Sequence, residues 1–128
     1  MQLAFLRAIN PKDAPALAPN DRPIDLVHLA RMTLGDRSLE REVLQLFDRQ
    51  VTLLLARMRA AGPEGVATLA HTLKGSARGI GAWRVARAAE AVELAEGSDG
   101  EAVAKALDQL AAACDEARAV IAELLLPN

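Results

Sequence analysis

Residues 101–126 read EAVAKALDQLAAACDEARAVIAELLL, and the spacing of their apolar positions decides the fold. Val103, Leu107, Leu110, Cys114, Ala117, Ile121 and Leu124 advance in alternating steps of four and three, the pattern of a helix packing its stripe into a bundle seam. The rest of the chain agrees with a helical reading. Alanine and leucine fill 47 of the 128 positions, against 12 for valine plus isoleucine, and the aromatics are only Phe5, Phe47 and Trp83. Alanine and leucine favour helix, whereas strands need β-branched and aromatic residues, so the fold class is all-α.

Breaks in the pattern divide the chain. Prolines at 11, 15, 19 and 23 punctuate the start too often for a long helix, so residues 1–23 read as a leader, with Leu3, Leu6 and Ile9 allowing a turn or two of amphipathic helix. A short helix is expected from Pro23, with Asp25 complementing its dipole, ending at Gly35. Asp36 caps a second helix that Gly62-Pro63 stops, with Leu39, Val43, Leu46, Phe47, Val51, Leu54 and Met58 as its stripe. A third runs from Pro63 to the Gly79-Ile80-Gly81 break, and a fourth from Ala82 to Glu96 with Val85, Ala88, Ala89 and Val92 on one side. Ser98 and Glu101 have the spacing of a capping box ahead of the last helix. Four long helices on short turns predict an up-down-up-down antiparallel four-helix bundle over residues 24–128, with the short N-terminal helix capping or flanking it.

Composition excludes several functions. Fifteen basic against 17 acidic residues give a net charge of −2, which is no footprint for nucleic acid or an anionic membrane. One cysteine and two histidines cannot build a structural zinc site, so no metal is expected. No apolar run approaches the roughly 18 residues of a membrane span, and the N-terminus lacks a signal-peptide pattern. A cytoplasmic monomer is the expectation. Cys114 lies in the seam as a small apolar residue, and His28 reads as an ordinary surface histidine.

The third helix departs from this economy. With Val66 at zero on a wheel of 100° per residue, Leu69, Ala70, Leu73, Ala77 and Ile80 fall within about 60° of it, while His71 lies near 140° and Gly75 near 180°. His71 therefore faces away from the core. Gly75 costs roughly 0.5–1 kcal/mol in a helix interior relative to alanine, and its evident effect is to clear the space one turn beyond the imidazole. Lys74, one of only three lysines, lies within reach at i+3, and Arg78 is on the same side. An exposed imidazole is ordinarily only solvated. One with open space and a cation beside it suits an incoming phosphoryl group, for which imidazole nitrogen is a good nucleophile near neutral pH.

The string AHTLKGSARGIGAWRVARAAEAVE, residues 70–93, resembles the motif of the histidine-containing phosphotransfer (HPt) domain. His71, Leu73, Lys74, Gly75, Ser76, Ala77, Gly81 and Ala82 match it position by position, and Val92-Glu93 stands where the family commonly has Leu-Glu. The resemblance covers about residues 24–126 and implies a four-helix bundle that carries a phosphoryl group on His71 between receiver-domain aspartates of response regulators or hybrid sensor kinases. It implies charge stabilisation by Lys74, approach space at Gly75, a backbone hydrogen bond from Ser76, and docking through Glu64, Ala67, Thr68 and Arg78. Mg2+ would come with the receiver's acidic pocket, since no carboxylate cluster is expected around His71. No Walker spacing accompanies these residues, consistent with a carrier that has no kinase activity of its own. Two other readings stand beside it: the phosphoacceptor part of a sensor kinase, against which Thr72 follows the histidine where that family has an acid, and a helical adaptor that binds receivers without accepting phosphate.

Overall fold

The computed structural model describes residues 22–127, which form five helices and no strand. They are α1 (Leu26–Met32), α2 (Arg37–Ala60), α3 (Pro63–Ile80), α4 (Trp83–Leu94) and α5 (Gly100–Leu124). Leader residues 1–21, with the amphipathic turn expected at 3–9, lie outside the described residues.

Carboxylate caps set three of the helix starts. Asp25 Oδ1 accepts from His28 N at 3.0 Å, so α1 begins at Leu26 rather than at Pro23. Asp36 Oδ1 accepts from Leu39 N at 3.0 Å and opens α2 where the sequence places it. At α5 the cap is Asp99, accepting from Ala102 N at 2.8 Å, and not Ser98. The charged acceptor one residue closer to the first turn takes the amide, so the expected Ser98–Glu101 box does not form. Pro63 occupies the first turn of α3, and Gly81 ends that helix in the left-handed region at φ 85°. α4 is shorter than expected at both ends.

Each long helix packs on the next in sequence, α5 also meets α2, and α1 lies on α3. The closest pair is α3 with α4. Ala70, Ala77, Ala86 and Ala89 are all buried, and small side chains there let the two backbones approach. The α5 seam holds: Leu107, Leu110, Cys114, Ala117 and Ile121 are buried, while Leu124 is exposed. Burial pushes the Cys114 thiol up to about 12, leaving it a packing residue. Burying a side chain of leucine or isoleucine size contributes about 1.5–3 kcal/mol relative to exposure, and these residues belong to one continuous buried cluster.

The stripe expected on α2 mixes two faces. Leu44, Phe47, Val51, Leu54 and Met58 are buried, but Leu39 and Leu46 are exposed and line up with exposed Leu53 at seven-residue intervals. On a wheel this row lies about 115° from the centre of the buried face. The opposite flank belongs to α5, where Arg118 Nε donates to Asp48 Oδ1 at 2.7 Å and Arg41 Nη2 to Leu125 O at 2.8 Å. The leucine row is therefore on the α3 side of α2.

His28 is not a free surface histidine. Its Nε2 donates to Gly79 O at 3.1 Å, and its ring meets the Trp83 ring edge-on at 4.8 Å between centroids. Trp83 Nε1 donates to buried Asp25 Oδ2 at 2.9 Å, and that bond is the main reason the Asp25 carboxyl is held below its ordinary value. Asp25 N donates to Gly81 O at 2.9 Å, completing a polar corner that fixes α1 against the α3–α4 turn.

Candidate functional site

The outward face of α3 carries His71 at mid-helix, its side chain 70 % exposed. A Cβ added at Gly75 would meet nothing within 4 Å, nor would one at Gly79, so the surface beside the imidazole is open. Exposed Glu64 and Thr68, half-buried Ala67 and exposed Arg78 share this side of the helix, as the wheel predicts. Thr68 O accepts from Thr72 Oγ1 at 3.3 Å.

Glu93 on α4, which the sequence offers only through the Val92-Glu93 match and with no role, is the neighbour of His71. Its Oε2 is 2.8 Å from His71 Nδ1, and its Oε1 is 2.6 Å from Lys74 Nζ. The Lys74 ammonium, followed by the His71 ring, holds the Glu93 carboxyl below its ordinary range against the opposing effect of burial. An ionised carboxylate can only accept, so His71 Nδ1 carries the proton and donates. In the neutral ring Nε2 then keeps the lone pair, and among the described residues it has no protein partner.

Only 14 % of the Lys74 side chain is exposed, and its ammonium serves as counter-ion to Glu93. Helix register explains this: at about 80° from the core centre Lys74 points at the α3–α4 seam, where Glu90 Oε2 also lies 3.9 Å from Nζ. Glu90 Oε2 is in turn 3.8 Å from Arg78 Nη2. Two carboxylates of α4 thus stand at the site, Glu93 against His71 and Lys74 and Glu90 against Lys74 and Arg78. They form no group of three or more His, Cys, Asp or Glu able to hold a metal among the described residues. Ser76 is half-buried. The signal for Glu90 and Glu93 is their three-residue spacing on one side of α4, but sequence spacing cannot say which helix they face.

Residues 39–120 match the sequence profile of the Hpt domain, so the chain belongs to the Hpt domain family. Hpt domains are helical phosphotransfer carriers that interact with receiver domains in phosphorelays, and they are not kinases. No curated protein and no solved structure matches the chain. No helix among the described residues is long and apolar enough to cross a membrane.

Proposed function

We propose that this chain carries a phosphoryl group on His71 Nε2, taking it from the aspartyl phosphate of one receiver domain and giving it to another. The observation that carries the reading is the 2.8 Å bond from His71 Nδ1 to Glu93, which leaves the nucleophilic lone pair on the solvent-facing nitrogen. In the forward step that lone pair forms the N–P bond while the P–O bond to the receiver's carboxylate breaks. The ring keeps its Nδ1 proton and becomes positive, and the Glu93 carboxylate balances that charge, as the carboxylate of a hydrolase triad does. The same charge makes the ring a good leaving group, so the transfer reverses readily.

Lys74 supplies positive charge to the moving phosphoryl oxygens from its place beside Glu93, and Gly75 leaves room for the receiver. Mg2+ belongs to the receiver's acidic pocket. Glu64, Ala67, Thr68 and Arg78 form the docking face on α3, and the row Leu39, Leu46 and Leu53 on the adjoining flank of α2 extends it with apolar surface. The scaffold is an up-down-up-down bundle over residues 24–128, acting as a monomer in the cytoplasm, with residues 1–23 as a leader outside it.

The test is incubation with a panel of phosphorylated receiver domains, reading label on this chain. An acid-labile, alkali-stable phosphoramidate that disappears in His71→Gln supports the assignment. Label that persists in that variant removes it, and label arising from ATP alone would point to a kinase.

A further inference from the structure

Glu90 belongs to no step described above, yet it is the only described carboxylate shared by both cations on the His71 side of α3. Its Oε2 lies 3.9 Å from Lys74 Nζ and 3.8 Å from Arg78 Nη2. We propose that Glu90 is a charge competitor: it holds Lys74 and Arg78 in the resting chain and so lowers the stability of the phosphohistidine that draws on the same two cations. The proposal rests on His71 as the acceptor.

The argument is electrostatic. Loading Nε2 brings a doubly charged phosphoryl group to a surface whose cations already have partners. Lys74 has Glu93 at 2.6 Å and Glu90 on its other side, whereas the described ion pair of Arg78 is with Glu90 alone. Arg78 is seven residues beyond His71 on the same face, two turns along the helix, and 55 % of its side chain is exposed and free to swing. Each contact Glu90 gives up weakens the resting state's hold on a cation, and the Glu90 charge itself repels the arriving phosphoryl group. Glu93 cannot fill this role, because it must stay on Nδ1 of the charged ring. The geometry thus divides two carboxylates three residues apart: Glu93 supports the loaded ring, and Glu90 opposes the loaded phosphoryl group. A carrier that must give up its cargo gains from the second, since phosphohistidine held too tightly would stop the relay at this chain.

The measurement is the equilibrium constant for phosphoryl exchange with a receiver domain that labels the wild-type chain, approached from both directions with both proteins dilute. An equilibrium constant between free species is blind to docking, so it separates this role from a contribution to receiver binding. Glu90→Gln keeps the shape and removes the charge. It is expected to shift the constant about two- to fivefold toward phosphohistidine, the range that one or two half-exposed ion pairs command. The shift should shrink as salt is raised, and it should fall in the Arg78→Ala background. A constant unchanged by Glu90→Gln, or a shift independent of salt and of Arg78, overturns the proposal. Absence of label on wild-type His71 would instead remove the functional reading beneath it.

Discussion

Glu93 reaches across the α3–α4 seam and bonds His71 Nδ1 at 2.8 Å, so a residue on one helix decides which nitrogen of a residue on another is nucleophilic. Removing it tests that division of labour. Glu93→Ala should slow transfer by about 10–100-fold, the usual cost of losing the partner that orients a functional imidazole. Glu93→Gln, which can still accept from Nδ1 but brings no charge, should fall between it and wild type. Wild-type transfer rates in Glu93→Ala would show that the bond has no part in reactivity.

The same carboxylate gives the fold a pH signature. The folded-state pKa of Glu93 is depressed from its ordinary 4.5, mainly by Lys74. A depressed acid contributes stability above its unfolded value and loses it as pH falls through the folded one. The melting temperature of wild type should therefore exceed that of Glu93→Gln at neutral pH, and the gap should close progressively below pH 4.5. A gap that stayed constant down to strongly acidic pH would mean that packing, not charge, links Glu93 to stability.

Gly75 within α3 and Gly81 at its C-terminal cap should respond to alanine with opposite signs. At Gly75 the new methyl meets nothing, so Gly75→Ala should raise stability by about 0.5–1 kcal/mol while impairing transfer. Gly75→Gln should fold equally well and transfer worse, because a longer side chain stands in the receiver's path. At Gly81, φ is +85° and a Cβ would come within 3.0 Å of both Asp25 Cβ and Asp25 O. Gly81→Ala should cost at least about 1–2 kcal/mol from the left-handed backbone alone. Paired melting curves and transfer rates decide both cases.

Trp83→Phe keeps an aromatic ring against His28 but removes the donor to buried Asp25. An unsatisfied buried acceptor costs about 1–3 kcal/mol, and each of those lowers the melting temperature of a domain this size by about 4–8 °C. Hydrogen exchange should locate the loosening in α1 and the α3–α4 turn. A variant with unchanged melting and protection would show that the indole bond does not hold α1.

Periodicity made the long helices legible because each has one apolar stripe, and in α5 that stripe is almost unambiguous. It misled at α2, where leucines on two faces produce one seven-residue pattern and only the packing of α3 and α5 tells Leu44 from Leu46. His71 and Gly75 were readable because their oddity is local: an outward imidazole, and a glycine where alanine is the norm. Glu90 was not, and Glu93 showed only as a motif match without a role, since the meaning of both lies in contacts with another helix. The counter-ions of Lys74 are hidden for the same reason: i+3 spacing places it near His71, but only the neighbouring helix shows Glu93 and Glu90 beside it.

That separation makes regiochemistry a property of the tertiary structure. His71 and Glu93 are 22 residues apart, so an unfolded chain has no carboxylate in place to hold the proton on Nδ1. A small phosphoryl donor such as potassium phosphoramidate, acting on the denatured protein, would modify either ring nitrogen. In the native bundle Nδ1 is occupied and only Nε2 is offered. The ratio of the two phosphohistidine isomers therefore reports, at a single side chain, whether the third and fourth helices are in register.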